Sequence, residues 1–347
     1  MYSESDLQGA VEAGAITPEA AAALRQHVAS MHAAPAVDEE HFRLITGFND
    51  IFVSIAIVLL LVATGSLAKL VSENIVGYAV AAIAWALAEY FTARRRMALP
   101  SIILVVAFVG GIAASTGALL DIGGSGEDAV NALKLAGVAA ASAVAAGLHW
   151  RRFMVPITIA AMALAAAGIA IALIASVIGN PADVIKWLVF AAGLGIFAFA
   201  MRWDMSDLER KTRRSDVAFW LHLVAAPAIA HPIFSQFGVF DGEIGAGVAL
   251  LVVALYVAFG LVALAIDRRA ILVSGLAYVL YALYSLFAIE ANVELGVALA
   301  IFVIASALLL LSAFWTNARA LVVGGLPAGM KAKLPVTGSA SVPATSG

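Results

Sequence analysis

Two histidines, two prolines and a glutamine fall within one otherwise apolar stretch, VAFWLHLVAAPAIAHPIFSQFGVF at 217–240. Imidazole titrates near neutral pH and can pass a proton, and ionisable groups inside apolar segments are costly enough to be functional candidates. Pro227 and Pro232 each remove an amide donor and free a carbonyl about one turn earlier. Such backbone is tolerated at membrane depth where neighbouring helices or a water-lined cavity satisfy it. The spacing predicts a kinked or broken helix with His231 near mid-membrane. Two readings stand: a relay site built on His231, His222 and Gln236, or a packing helix whose histidines bond to the freed carbonyls. Residues nine apart face opposite ways on a straight helix, so His222 and His231 share a site only if the kink reorients one of them.

Other polar groups have structural explanations beside the functional one. Glu89 precedes Arg94-Arg95-Arg96 by one to two turns, as an interfacial carboxylate neutralised by them or as a further relay group. Asn49 and Asp50 cap the first apolar run or pair with the same arginines. Tyr278, Tyr281 and Tyr284 form a stripe that lines a pocket or packs, each hydroxyl on a carbonyl. Lys69 with Glu73, and Asp183 with Lys186, have the spacing of neighbours on one helix face, and Lys134 can snorkel outward. Gly110, Ala114 and Ala118 have the small-xxx-small spacing of a close helix contact. There is no P-loop, no dinucleotide glycine pattern, no metal-ligand spacing and no cysteine. The expectation is a protein that is not an enzyme, with no cofactor, no metal site and no nucleic-acid partner.

The elements that must position these groups follow from composition. Of 347 residues, 63% are hydrophobic and 12% charged, and mean hydropathy is +1.00. That is too little polar surface for a water-soluble globule. A spanning helix needs roughly 20 apolar residues. Ten such runs occur: 51–70, 75–92, 99–120, 130–148, 153–178, 184–201, 217–240, 244–266, 270–289 and 295–315. With both ends cytosolic, 17 of the 20 Lys and Arg side chains fall inside, and only Lys69, Lys134 and Lys186 fall outside. This is the bias that orients membrane proteins. One span more or fewer would destroy it. The expected fold is all-α: a polytopic transmembrane bundle of about ten spans, both termini inside, with a small N-terminal cytosolic helical hairpin.

The chain divides into residues 1–49, 50–316 and 317–347. In the first part Gly14 fits a helix stop, Thr17 an N-cap and Pro18 a first helical position, with a second helix to about His32. Its thin apolar stripe predicts docking, on the membrane domain, a second copy or another protein, through residues 1–33. No early apolar core marks a signal peptide. The loop at 202–216 is mixed-charge and reads as a solvated positive-inside loop or as a short interfacial helix. In the tail, 320–326 is too short to span and is placed along the inner interface. Beyond 335 the Ser/Thr/Gly/Pro composition does not pack. Every even-numbered span closes alike (EYFTARRRMALP, GLHWRRFMVP, AFAMRWD, LAIDRRAILV, AFWTNARALV), from a hairpin repeat or from charge selection with interfacial aromatics.

The leader LQGAVEAGAITPEAAAALRQHV, the sequence EEHFRLITGFNDIFVSIAIVLLL, and a tail with Trp315, Arg319, Leu326-Pro327 and Leu334-Pro335 resemble uncharacterised bacterial multi-pass inner-membrane proteins. Those proteins carry a domain of unknown function near the N-terminus. The resemblance implies a bacterial cytoplasmic membrane and brings no site residue. Three functions are open: a transporter or permease-like protein for a small solute; a structural or regulatory membrane protein docking a partner through its N-terminal hairpin; and a membrane-embedded enzyme. The bilayer is the partner common to all.

Overall fold

The computed structural model describes residues 10–24, 48–122, 128–178, 182–208, 210, 212–239, 245–287 and 293–335. Residues 1–9, 25–47, 123–127, 179–181, 240–244, 288–292 and everything past 335, and with them the sequence-based expectations made there, lie outside the described residues. The chain divides into two compact units, 1–42 and 43–347.

In the first unit the sequence signals are local and strong. Gly14 has φ +70°, and the amides of Gly14 and Ala15 donate to the carbonyls of Val11 and Ala10, closing a helical turn at a residue that bears no Cβ. The Thr17 hydroxyl accepts from the Ala20 amide at 3.2 Å, as an N-cap does.

The second unit is all helix among its described residues. Ten helices are long and apolar enough to cross a membrane. They are α1 Phe48–Lys69, α2 Val76–Phe91, α3 Ala98–Leu119, α4 Asp128–Phe153, α5 Ile157–Ile178, α6 Ala182–Met205, α7 Arg213–Ser235, α8 Ala246–Ile266, α9 Ala270–Phe287 and α10 Val293–Ala313. Two short helices follow, α11 Trp315–Gly324 and α12 Ala328–Lys331. The protein is therefore a polytopic helical bundle, and its exposed leucines, isoleucines and phenylalanines are its lipid-facing surface.

The closest-packed neighbours are α2 with α3, α4 with α5, α6 with α7 and α8 with α9. All four pairs are joined at the end that carries the arginines. Each turn there holds one non-glycine residue in the left-handed region: Arg96 (φ 54°), Met154 (53°), Arg210 (52°) and Asp267 (58°). The likeness among the span ends thus has a structural counterpart in a shared hairpin and a shared turn geometry. Half of the most apolar stretch of α7 is buried, against 17% for α10, so α7 is the central helix and α10 a peripheral one. It packs on α5, α6 and α9.

The small-residue stripe of α3 is placed differently from expectation. Gly110, Ala114 and Ala118 are exposed. The helix contact uses the adjacent face, where a Cβ on Gly111 would overlap the Gly77 carbonyl oxygen of α2 and lie 3.3 Å from Ala81 Cβ. Ser115 on that face accepts the Tyr78 amide at 3.1 Å, satisfying a donor that the first turn of α2 leaves open. Gly111→Ala should therefore cost about 1–3 kcal/mol of stability. Gly110→Ala, with nothing within 4 Å of the added methyl, should cost almost nothing. Unfolding titrations of both variants in mixed micelles test this, and equal losses would place the contact on the wrong face.

Candidate functional site

Helix α7 continues through both prolines without a break, from Arg213 to Ser235. It starts and ends earlier than its apolar run. His231 consequently lies one turn from the end opposite the arginines, not at mid-membrane. Its Nδ1 is hydrogen-bonded to the Tyr278 hydroxyl of α9, while His231 is itself exposed and Tyr278 is buried, with Phe234 stacked on its ring. Gln236 is exposed at the helix C-cap. Tyr281 is half-buried beside Tyr284. Pro227 is exposed and Pro232 buried. Glu89 pairs with Arg152 of α4 in a two-pronged bond of 3.0 and 2.5 Å. Of the three arginines expected beside it, Arg95 bonds to the Tyr90 hydroxyl instead. Lys69 and Glu73 pair at 3.1 Å on the surface, and Lys134 reaches the Asp121 carbonyl. His231→Leu should remove the bond between the imidazole and the Tyr278 hydroxyl and cost about 1–3 kcal/mol. Tyr278→Phe, which removes the same bond from the other side, should cost a similar amount. Thermal unfolding in detergent reads both, and a neutral His231→Leu would show that the bond carries no weight.

His222 sits elsewhere, in a charge cluster that residue spacing did not reveal. The segment 202–216, read as a solvated loop or an interfacial helix, is mostly helix: α6 runs on to Met205 and α7 begins at Arg213. Asp204 is in the last turn of α6 and only 1% exposed. One of its oxygens accepts from Arg268 Nη2, and the other lies 2.8 Å from His222 Nε2. Arg268, 2% exposed, also donates to the Ser215 carbonyl at 3.1 Å. With Asp204 held as a carboxylate by the guanidinium, neutral His222 must carry its proton on Nε2 to complete that bond. Phe197 of α6 presses edge-on against the imidazole.

The preceding residue, Asp267, makes a second centre. Its left-handed conformation ends α8, and its carboxylate takes a different set of partners from that of Asp204. Arg210 Nη1 donates to it at 2.7 Å, Trp315 Nε1 at 2.6 Å, and Arg319 Nε stands 3.7 Å away. Arg210 also donates to the carbonyls of Ile266 and Asp267, which α8 leaves unsatisfied at its C-terminus. Arg319 donates to the Pro335 carbonyl at 2.6 Å. Leu334 packs on the same core as Trp315. Two hairpins and the C-terminal segment thus meet on Asp204 and Asp267.

Ion pairs this deep must offset a large desolvation cost, and removing one partner strands the other. The arrangement is a clamp. It links the turns of two hairpins and the C-terminal segment through buried charge, and no group of three or more potential metal ligands occurs among the described residues. Two signals for it were present in the sequence. An acid stands beside arginine at two turns (Arg202-Trp203-Asp204 and Asp267-Arg268-Arg269), where positive-inside bias alone calls for cations only. The tail motif of Trp315, Arg319 and Leu334-Pro335 is the other.

Fold and site define the class: an integral, multi-pass, all-α membrane protein with a buried ion network at its arginine-rich end. Comparison of the chain with known protein families, with curated proteins and with solved structures gives no match.

Proposed function

We propose that this chain is a non-catalytic, regulatory membrane protein of a bacterial cytoplasmic membrane. Its arginine-rich end faces the cytosol and serves as a latched platform for a protein partner. The carrying observation is the convergence of Arg210, Trp315 and Arg319 on Asp267, which ties residues 315–335 to the turns of two hairpins. Buried ion pairs often add little net stability over apolar residues of the same volume, so a role in registry or switching supports this reading.

Two apolar cavities support this reading, while a third space of about 600 Å³ between α2 and α3 has Lys69 and Glu73 at its outer end. The space of about 190 Å³ between α6, α7, α8 and α9 is walled by residues such as Leu194, Phe197, Ala226 and Phe259. The space of about 590 Å³ along α4 and α5 is walled mainly by Ala, Leu, Val and Ile, with Asp128 and Asn131 at one end. Apolar walls do not replace the hydration shell of a polar solute, and an apolar solute partitions into lipid unaided. The partner elements are the N-terminal hairpin and the exposed face of α11, where Leu321 is 80% exposed.

Photo-crosslinking in cells from Glu19 and from Leu321 tests the proposal. A discrete protein adduct at both positions, lost when Asp267→Asn opens the latch, supports it. Solute uptake by vesicles carrying the purified protein, abolished by Asp204→Asn, would replace it with the permease reading.

A further inference from the structure

We propose that the groove between α4 and α5 binds one acyl chain of a membrane phospholipid in extended form. The groove encloses about 590 Å³. On α5 the positions that line it, Ala161, Ala165, Gly168, Ala172 and Ala175, alternate four and three apart, as one face of a helix does. None of them bears more than a methyl group, so the valley between the two helices is left unfilled by its own wall. It opens sideways at Leu135 and Leu164, both half exposed. Val109 of α3 and Ile185 of α6 flank it.

The dimensions select the occupant. The lining runs from Asp128 to Ser142 on α4 and from Ala175 back to Ala161 on α5, so the groove is about 21 Å long at ~1.5 Å per residue. Spread over that length, its volume leaves a channel about 6 Å across. An α-helix with its side chains is about 10–12 Å across, so no partner helix enters, whereas a single hydrocarbon chain does. A cavity of ~150 Å³ takes one benzene, and this space is roughly four times larger, the size of a long chain rather than of one ring. Its length exceeds the ~15 Å depth of one leaflet, so a chain that fills it is straighter than its neighbours in the bilayer. Neither helix carries a proline, and the groove between them has no kink to follow. Asp128, in the first turn of α4, sets one end at headgroup depth. At the other end the Ser142 hydroxyl donates to the Val138 carbonyl of its own helix at 2.8 Å and so is already satisfied. Recognition therefore rests on van der Waals fit along the chain, not on the headgroup. Gly168 lies at the midpoint of the groove, where a cis double bond halfway along a chain would bend it out of contact.

The test is native mass spectrometry of the full chain in detergent with equal dipalmitoyl and dipalmitoleoyl phosphatidylcholine, which differ only in a cis double bond halfway along each chain. One lipid should be retained, the saturated form with about fivefold preference, the effect of several carbons lifted from their wall contacts. Gly168→Leu should block the groove at its midpoint and remove the preference. Its Cβ makes only ordinary contact with Ala139 Cβ, 3.4 Å away. Ala139→Leu fills the same level from α4 and should act likewise, which keeps the test valid if Gly168→Leu misfolds. Val144→Phe, at an exposed position of α4 outside the groove, should change nothing. Displacement of the phospholipid by an equal amount of free palmitate would overturn the assignment to a phospholipid. Equal retention of the two lipids, or a preference that survives both groove variants, overturns the proposal.

Discussion

Asp204→Ala should destabilise the membrane domain by about 3–5 kcal/mol, the loss expected when one partner of a buried ion pair is removed. Asp204 is 1% exposed and is the acceptor for both Arg268 and His222. Removing it leaves a guanidinium buried beside a carbonyl and an imidazole with neither nitrogen bonded, since His222 Nδ1 has no hydrogen-bond partner. The cost comes from the stranded cation rather than from the lost bond. Asp204→Leu combined with Arg268→Met should therefore recover much of the loss, although the Ser215 carbonyl and His222 each still lack a bond worth about 1 kcal/mol. Unfolding of wild type, both single variants and the double variant reads the coupling. Additive losses would mean that the two side chains do not interact.

Asp267→Asn should have a comparable effect of about 3–5 kcal/mol and a different signature. Asparagine tolerates the left-handed backbone recorded at this position, φ 58°, so the substitution removes charge while leaving the turn intact. Arg210 and Arg319 lose their counter-charge, and the tie from Trp315 Nε1 weakens. Asp267→Ala should be worse than Asp267→Asn by roughly 1–2 kcal/mol, because alanine pays for the left-handed conformation without a side-chain bond. If alanine and asparagine prove equal, the turn stores no conformational cost and the carboxylate acts alone. Trp315 fluorescence should shift toward that of an exposed indole in both variants.

The fold was largely legible from the sequence. Continuous apolar runs can be satisfied only by helices in lipid, and the arginine bias fixes their number because one miscounted span inverts every later loop. Gly14, Thr17 and Pro18 were legible because each acts locally, on backbone within a turn of itself. The site was legible only in part. Asp204 and Ser215 lie more than fifty residues from the Asp267-Arg268 pair, and no periodicity connects residues brought together by packing between hairpins. Their burial depended on where α6 ends and α7 begins, and a helix that runs four residues beyond its apolar stretch carries Asp204 from loop to core. His231 was misplaced by the same boundary. Hydropathy set its depth, whereas the last turns of the seventh apolar run lie beyond the end of α7.

Thiol labelling of Leu334→Cys in membranes tests the latch most directly, because the chain has no other cysteine. Leu334 is partly buried against the core that contains Trp315. With the latch intact, a polar maleimide should react slowly. Asp267→Asn or Arg319→Met should raise the rate on the order of tenfold or more, since each ~1.4 kcal/mol removed from local closure raises the open fraction tenfold. Rapid labelling in the wild type, or identical slow rates in all three proteins, would contradict a C-terminal segment held by the ion network.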